Sequence, residues 1–366
     1  MNKVAIIHDW LVTLRGGEKV LEVVLDLFPQ AEIFTLVYNP KKMSDKINSK
    51  KIHTSIIQRF PFSKKLYKHY LFYHPAAIEL FDLRSYDLVI SLSHCVSKGV
   101  IVPQGIPHLT YMFTPMRYAY DMFYEYFDLK SFGLMKRILF GWIFNYLRTW
   151  DYISTQRVDK LITISDFVKT RIKRFYNKDS EIIYPPVNTE YFTPDPEYSK
   201  EDYYLIISAL VPYKKIDLAI RAFNQTKKKL LIIGTGPELK RLKRIAGSNI
   251  TLIGYQDDDK LRASLRKAKG LIFPGTEDFG ITMVEALACG TPVIAFNGGG
   301  AKEIIKEGKT GVFFDDPSIN GLNSAIERFE NLTFEPGALR DESLRFSENK
   351  FKESFLNSIK TIKRNL

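Results

Sequence analysis

Two carboxylates, Glu277 and Glu285, lie eight residues apart on either side of Gly280. The apolar residues 270–273 before them are typical of a buried strand, and Thr282 followed three residues later by Glu285 predicts a capping box that opens a helix. The unpaired amides and the dipole at such a helix N-terminus favour an anion, above all a phosphate. Glu277, just outside the helix, is then free to meet neutral hydroxyls. The pattern therefore indicates one element that can hold a phosphate and a polyol together.

Lys214 and Lys215 follow a predicted strand at residues 203–210. In open parallel sheets ligands bind beyond the carboxyl ends of the strands, so these ammonium groups are placed where they could neutralise a departing diphosphate. Such preorganised charge is typically worth about 10² to 10³ in rate. The alternative for either residue alone is an ordinary surface lysine, since lysines are common as solvated charges. The position at a strand end favours a ligand-binding role for Lys214.

Glycine-containing loops follow other predicted strands. Gly16 and Gly17 open the first predicted helix, where a ligand can approach the backbone closely, although paired glycines also form ordinary turns. Gly234 begins a Gly-x-Gly turn that has Leu239 where a dinucleotide fingerprint needs a third glycine, so a nicotinamide site is not predicted. The turn fits a close approach of helix and strand. The acids at 257–259 fit a helix cap better than a metal site.

Polar side chains also follow predicted strands in the front half of the chain. Asp9 follows the first strand, and His94, Lys98 and Arg117 follow later ones. A basic group at these positions could hold the phosphate of an acceptor, whereas a lone histidine is more often structural than catalytic. We take these four residues as candidate acceptor contacts.

The composition is that of a globular protein, with 366 residues, 45% hydrophobic and 26% charged residues, and a net charge of +12. This length suits two domains. Residues 3–7 are typical of a first strand rather than a signal peptide, and the apolar stretch 138–147 is too short to cross a bilayer. Cys95 and Cys289 offer neither a disulfide framework nor metal-ligand spacing. We therefore expect a cytoplasmic protein without a bound metal.

Residues 41–74 are rich in lysine and arginine, have Asp45 as their one acid, and carry interleaved aromatic side chains. Cations that meet lipid headgroups, beside rings that sit at the interface, suit an anionic membrane surface. The same composition would suit single-stranded nucleic acid. The alternative is a solvated lysine face over an aromatic core. We expect peripheral contact with the inner face of the cell membrane and no nucleic-acid partner.

Strand-like and helix-like runs alternate throughout, which predicts an α/β protein with two doubly wound, Rossmann-like domains. The proline-containing segment 184–188 and the polar stretch after it suggest a boundary, so we assign domains 1–190 and 191–343 and a C-terminal helix at 344–366 that packs back on the first domain. Two such domains would place a substrate in the cleft between them. The predicted strands are 4–7, 32–36, 87–91, 108–112, 160–164, 203–210, 230–233, 250–253, 271–273 and 293–296. The predicted helices are 18–27, 64–80, 132–155 and 166–176, with others that start at 216, 237, 258 and 283.

These residues together form a recognisable pattern. Residues 273–303, with Glu277 and Glu285 at the E-x7-E spacing, closely resemble the retaining glycosyltransferases of family 4, which have the GT-B fold. The Gly16-Gly17 loop and the segments 114–117, 184–187 and 211–214 extend the likeness over nearly the whole chain. The sequence is most similar to the mannosyltransferase-type branch that builds bacterial surface polysaccharides. The E-x7-E region is the specific signal, and the other segments are individually weak.

The resemblance implies a nucleotide-diphosphate sugar held mainly by the second domain and an acceptor held by the first. It implies that Glu277 contacts the hydroxyls of the donor sugar, that Lys214 stabilises the diphosphate, and that Glu285 contacts the nucleotide ribose. It implies no metal or other cofactor, and a lipid-linked or saccharide acceptor reached from the inner membrane face. The remaining donor contacts are expected from Gly16, Gly17, Lys215, Gly234, Tyr255, Phe279, Gly280, Ile281 and Thr282.

Two positions depart from the family pattern. Related enzymes usually have an arginine where this chain has Ala209, and often a histidine where it has Phe113. The leading hypothesis is the transfer of a hexose, with retention, to a lipid-linked saccharide or polysaccharide precursor, and the donor we expect is GDP-mannose. The alternative is a catalytically impaired accessory protein that binds a membrane or polymer. A nicotinamide-dependent enzyme is a third hypothesis, which the incomplete glycine fingerprint disfavours.

Overall fold

The computed structural model describes residues 3–127, 132–195 and 197–364. The chain divides into two compact units, which we call the front unit, residues 1–186 with 351–366, and the rear unit, residues 187–350. Each unit has its own sheet and its own core.

The front unit is built on a parallel sheet of seven strands in the order β3-β2-β1-β4-β5-β6-β7, in the described part of the chain. Its strands are β1 Val4–His8, β2 Glu32–Thr35, β3 Ile52–Thr54, β4 Leu88–Ser93, β5 His108–Met112, β6 Lys160–Thr163 and β7 Glu181–Ile182. Its helices are α1 Gly16–Leu27, α2 Asp45–Asn48, α3 Ser63–Leu66, α4 His74–Glu79, α5 Phe123–Tyr126, α6 Leu134–Gln156 and α7 Asp166–Tyr176.

The rear unit has a parallel sheet in the order β10-β9-β8-β11-β12-β13, which is the doubly wound arrangement with its switch point between β8 and β11. Its strands are β8 Tyr204–Ile207, β9 Leu230–Ile233, β10 Ile250–Gly254, β11 Gly270–Phe273, β12 Val293–Phe296 and β13 Gly311–Phe314. Its helices are α8 Ile216–Thr226, α9 Leu239–Ile245, α10 Asp258–Lys267, α11 Ile281–Ala288, α12 Ala301–Ile304, α13 Ile319–Glu330 and α14 Pro336–Leu344, and α15 Glu348–Arg364 follows.

The central strands are largely buried, as expected for parallel sheets whose two faces are covered. β1 and β5 are buried at every residue. Local signals fix several helix starts: the Ser165 hydroxyl accepts the amide of Val168 at α7, and the Asp257 carboxylate accepts the amide of Lys260 at α10. The acids at 257–259 therefore cap α10, as their position before a helix predicts.

The C-terminal helix α15 joins the front unit from Phe351 onward. The rings of Phe351 and Phe355 lie 5.6 and 6.1 Å from the ring of Tyr111 on β5, and the Ser358 hydroxyl donates to the Glu181 carboxylate at 2.8 Å. The sequence prediction of one helix from residue 344 is wrong in its start, because α14 ends at Leu344. The residues between the two helices form a turn in which the Phe346 carbonyl accepts the amide of Val187.

Other elements differ from the sequence prediction. The single helix predicted at 64–80 is broken into α3, a 3₁₀ segment at Tyr67–Tyr73 that contains the non-helical Tyr70, and α4. The helix predicted from Pro237 begins at Leu239, and the one predicted from Met283 begins at Ile281. The sequence prediction also omitted several elements of the structure, which are β3, β7, β13, α2, α5, α12, α13 and α14.

No helix in the three described stretches combines the length and apolar character that crossing a bilayer requires.

Candidate active site

Lys214 and Glu277 form an ion pair between two loops at the carboxyl ends of neighbouring strands of the rear sheet. Lys214 ends the 3₁₀ turn Pro212–Lys214 after β8, and Glu277 lies in the loop between β11 and α11. The side chains are only 18% and 13% exposed. A Cβ on Gly275 would lie 3.0 Å from the Cα and carbonyl oxygen of Lys214, so the glycine lets the two loops approach closely.

The N-terminus of α11 lies three residues beyond Glu277. Gly280 is its N-cap residue, with φ 98° and ψ 60°, a left-handed conformation that favours glycine. The predicted capping box is wrong, because Thr282 lies inside the first turn and Gly280 has no side chain to cap it. The Gly280 carbonyl accepts the amide of Met283 at 2.9 Å, and no cap side chain takes up the amides of Ile281 and Thr282 at the positive end of the helix dipole. Ile281 and Thr282 are half-buried in this turn.

A glycine loop after β12 supports the backbone of this segment. The Gly300 amide donates to the Glu277 carbonyl at 2.9 Å. A Cβ on Gly299, which has φ 61°, would overlap the Glu277 carbonyl, and a Cβ on Gly300 would overlap the backbone of Phe279. The backbone of residues 277–279 thus packs against the loop at residues 299–300, where a side chain larger than that of glycine would clash.

The side chains of Phe279 and Glu285, both predicted to contact the donor, are buried. The Phe279 side chain is buried and meets the Phe346 ring edge to face at 5.4 Å, which leaves its backbone rather than its ring for ligand contact. Glu285 is buried on the first turns of α11. Its predicted contact with a ribose stays a prediction.

The other predicted donor contacts of the rear unit also follow strands. Lys215 is exposed and is the N-cap residue of α8, in a left-handed conformation with φ 54°. A Cβ on Gly234 would overlap the Ser208 carbonyl, so this glycine lets the loops after β9 and β8 approach closely, where the sequence predicted a close approach of helix and strand. Tyr255, directly after β10, is 78% exposed. The structure thus places all three at the carboxyl edge of the rear sheet.

In the front unit, Asp9 is fully buried and holds the loop after β4. Its carboxylate accepts the backbone amides of His94, Cys95, Val96 and Ser97 at 2.6 to 2.9 Å. Although burial alone would raise it, His94 and these amides keep the pKa of Asp9 below its usual value. Asp9 therefore positions the His94 loop, and its predicted contact with an acceptor stays a prediction.

His8 and His94 lie next to Asp9. The His8 Nδ1–H donates to the Trp10 carbonyl, and burial followed by the nearness of His94 lowers the pKa of His8 to about 4. His94 Nδ1 lies 3.1 Å from the Asp9 carboxylate, and its ring meets the Trp10 ring at 4.5 Å. Burial lowers the pKa of His94, an effect that Asp9 partly offsets. His94 is partly exposed and stays a candidate acceptor contact.

Gly16 and Gly17 form the first turn of α1. The Glu18 carboxylate accepts the Arg15 amide at 2.8 Å, which closes the turn, and burial raises the pKa of Glu18 to about 7. A Cβ on Gly17 would lie 3.5 Å from the Phe113 ring. The phenylalanine that departs from the family pattern thus lies directly beside the predicted glycine site.

Lys98 is paired inside the front unit. Its ammonium is buried, pairs with the Asp151 carboxylate and donates to the Cys95 carbonyl at 2.9 Å. The hydroxyls of Tyr120 and Tyr176 donate to the second oxygen of Asp151. Lys98 therefore neutralises a buried carboxylate, and its predicted contact with an acceptor stays a prediction. Position in sequence alone could not distinguish these roles.

Arg117 is half-buried in the segment after β5 and stays a candidate. Sequence reasoning missed a second arginine near it. Arg171, on α7, is nearly buried and donates to the Thr114 hydroxyl at 2.6 Å and to the Asp121 carboxylate at 2.7 Å. It holds the segment that carries Arg117. No motif pointed to it, because the contact joins residues far apart in sequence.

The described residues contain no cluster of three or more histidine, cysteine or acidic side chains that could hold a metal ion. The basic and aromatic segment 41–74 divides between two roles. The rings of Phe60, Tyr67 and Tyr70 pack on the front core, whereas Phe62, Phe72 and Tyr73 are exposed.

Known proteins resemble this chain in sequence and in fold. Residues 187–352 match the family model described as Glycosyl transferases group 1. The chain is 28% identical over 198 residues to the GDP-mannose-dependent alpha-(1-6)-phosphatidylinositol monomannoside mannosyltransferase of Mycolicibacterium smegmatis, covering 46% of this chain and 52% of that protein. It is 29% identical over 206 residues to the O-antigen chain mannosyltransferase RfbU of Salmonella typhimurium, covering 51% and 58%.

The solved structure of sucrose-phosphate synthase from Thermosynechococcus elongatus has a TM-score of 0.75 to this chain at 17% identity, with 100% of both chains covered. This likeness confirms the predicted GT-B fold of two Rossmann-like sheets. The sequence matches span about half the length of the relatives named above. Residues 187–352 thus match the model of the glycosyl transferases group 1 family, and the chain has the GT-B fold.

Proposed function

We propose that this protein is a retaining glycosyltransferase of family 4 that transfers mannose from GDP-mannose to a lipid-linked saccharide or polysaccharide precursor. The observation that carries the proposal is the Lys214–Glu277 ion pair beside the open N-terminus of α11. One cation, one carboxylate and a row of amides meet there at the carboxyl edge of the sheet, where ligands bind in this type of fold.

Each group has a distinct task in the proposed reaction. The ammonium of Lys214 and the amides that begin α11 stabilise the negative charge that grows on the diphosphate as it leaves. The carboxylate of Glu277 accepts hydrogen bonds from hydroxyls of the donor sugar. Because these charges are already in place, they need little rearrangement when the bond breaks. Cationic and dipolar groups take the place of a metal ion.

In the transfer step, the bond between the anomeric carbon and the diphosphate oxygen breaks, and a bond to the acceptor oxygen forms on the same face of the sugar. The departing diphosphate oxygen takes the proton of the acceptor hydroxyl. The leaving group thereby serves as the base, so no side-chain nucleophile is required on the opposite face.

The names of the relatives support the choice of donor and acceptor. One relative is GDP-mannose-dependent and is named for a phosphatidylinositol acceptor, and another is a mannosyltransferase of the O-antigen chain. We therefore assign a lipid-linked acceptor at the inner face of the cell membrane.

The test is to incubate the purified protein with GDP-, UDP- and ADP-sugars and to follow sugar release, sugar transfer and the configuration of the product. Thermal shift ranks the donors, because a ligand that binds the native state raises the unfolding temperature. We expect GDP-mannose to give the largest shift and an α-linked product. Absence of both binding and turnover with all three nucleotide classes would refute the proposal.

A second candidate function is an accessory protein that binds saccharide or membrane without turnover. The Phe113 ring beside Gly17 favours it, because a phenyl ring cannot hydrogen-bond a sugar as the histidine usual in the family can. Ala209 likewise supplies no charge near Lys214. Hydrolysis or transfer of sugar from any nucleotide donor would exclude this candidate.

A further inference from the structure

Helix α6 is apolar on two opposite faces. Its inner face packs on the core of the front unit through the buried Phe144 and Leu147. Its outer face presents large apolar side chains at three- and four-residue spacing, and these are exposed. They are Met135, Ile138, Leu139, Trp142 and Tyr146, of which Met135 is 80%, Trp142 75% and Leu139 62% exposed.

This outer face continues onto a neighbouring segment. The Phe72 ring lies 5.3 Å from the Tyr146 ring, and the exposed Tyr73 ring lies 5.4 Å from Phe72. We call the five residues of the outer face, together with Phe72 and Tyr73, the α6 surface. Contiguous apolar patches of this kind on a folded unit mark a site of interaction. Exposure of apolar surface to water is unfavourable, and a partner that buries the patch relieves that cost.

The charges around the α6 surface are positive. Lys136 and Arg137 are exposed on α6 itself, and Lys64, Lys65 and Lys68 are exposed in the chain leading to Phe72. The sequence from Leu134 to Trp150 contains no acidic residue. The net charge of +12 adds a long-range attraction to anionic surfaces. An apolar ridge flanked by cations, with a tryptophan and tyrosines, is the chemistry of a helix that lies in a lipid interface.

We propose that the α6 surface inserts into the headgroup region of an anionic bilayer. The inference deepens the membrane location proposed above and assigns it to a helix that the sequence reading gave no binding role. A second copy of this chain fits less well, since self-association through α6 would bring Lys136 and Arg137 of both copies together. A bilayer buries the same side chains while its headgroups neutralise the cations.

The test measures binding of the full chain to vesicles, without donor or acceptor, so that its outcome is independent of glycosyl transfer. Sedimentation with vesicles of phosphatidylcholine mixed with phosphatidylglycerol is compared with sedimentation with phosphatidylcholine alone. We expect binding to the mixed vesicles, and about tenfold weaker binding for Leu139→Glu. The matched control is Leu332→Glu, which places the same charge at another exposed leucine and leaves binding unchanged. Circular dichroism and thermal melts confirm that each variant is folded.

Two further variants test the role of the cations on α6 and the insertion of Trp142 into the bilayer. The double variant Lys136→Glu, Arg137→Glu is expected to lose the preference for phosphatidylglycerol. Trp142→Phe is expected to bind normally but to lose most of the tryptophan quenching by brominated lipids, because Trp142 is the tryptophan that enters the bilayer.

Three results would overturn the proposal. The first is no binding of the unmodified chain to the mixed vesicles, and the second is equal binding of Leu139→Glu. The third is quenching that Trp142→Phe leaves intact, which would assign the contact to another surface. Loss of a dimer in analytical ultracentrifugation of Leu139→Glu, without loss of vesicle binding, would assign the α6 surface to self-association instead.

Discussion

The ammonium of Lys214 pairs with the carboxylate of Glu277 across the loops that follow β8 and β11, at the switch point of the rear sheet. The pair fixes both charges before any donor binds. An incoming diphosphate would compete with Glu277 for the lysine, and sugar hydroxyls would then replace the lysine as partners of the carboxylate. The ion pair is thus a preorganised element of the proposed site.

Replacement of the lysine tests its electrostatic role. We expect Lys214→Ala to lower turnover by about 10² to 10³, because the diphosphate loses its cation in the transition state. Lys214→Arg should keep part of the activity, since the charge remains in a different geometry. The control is Lys309→Ala, which removes an exposed lysine of the rear unit. Normal turnover in a folded Lys214→Ala protein would remove the lysine from the mechanism.

Replacement of the glutamate tests contact with the sugar. Glu277→Gln keeps the size of the side chain but removes its charge, so sugar hydroxyls lose a charged acceptor. We expect turnover to fall about tenfold or more while GDP alone binds with near-normal affinity in calorimetry. If Glu277→Gln loses affinity for GDP but keeps normal turnover at saturating donor, Glu277 contacts the nucleotide and its assignment to the sugar is wrong.

The glycine loop after β12 provides a structural prediction. Gly300→Ala forces a methyl group against the backbone of Phe279, and we expect it to destabilise the rear unit by about 1 to 3 kcal/mol and to weaken donor binding. Gly337→Ala is the matched control, because a Cβ there meets open space. Urea unfolding and calorimetry compare the two variants. Equal stability and equal affinity would contradict the supporting role of this loop.

Stability of the front unit should fall in mild acid. Burial lowers the pKa of His8 and of His74 to about 4, and burial with nearby Arg157 and Lys178 lowers the pKa of His108 to about 3. These histidines are neutral when folded and gain a proton near pH 6.5 when unfolded, so the unfolded state binds more protons as the pH falls from 6.5 toward 4. The stability they confer is complete above pH 6.5 and is lost below it.

The contribution of a single histidine to the pH dependence of the unfolding free energy can be measured. We expect His108→Asn to reduce the pH dependence of the unfolding free energy by up to about 1.4 kcal/mol per pH unit between pH 6 and pH 4. His69→Asn, at an exposed histidine, controls for the substitution itself. An unchanged slope in His108→Asn would show that this histidine is charged in the folded protein.

The sequence predicts the parts of this structure that depend on local patterns. Short runs rich in aliphatic and aromatic residues predict strands such as β5 and β9, which the structure has at the same residues. β7, with two residues, and β13, which follows a turn rich in lysine and glycine, carry too little pattern to be predicted.

Side-chain roles required the fold. Asp9, Lys98 and Lys214 all follow strands and are alike by that rule. Asp9 turned out to clamp a loop and Lys98 to neutralise Asp151, because partners distant in sequence bury both. Lys214 instead meets Glu277 at the open start of α11. The roles of the three residues differ because their burial and their partners differ, and no pattern around a single residue encodes either property.

The most direct test of the central claim is an experimental structure of the protein with GDP-mannose or GDP bound. We predict that the diphosphate lies within hydrogen-bond distance of the Lys214 ammonium and of the amides of Ile281 and Thr282, with the Glu277 carboxylate facing the sugar. A nucleotide bound elsewhere, with the Lys214–Glu277 pair intact and no ligand against α11, would contradict the account.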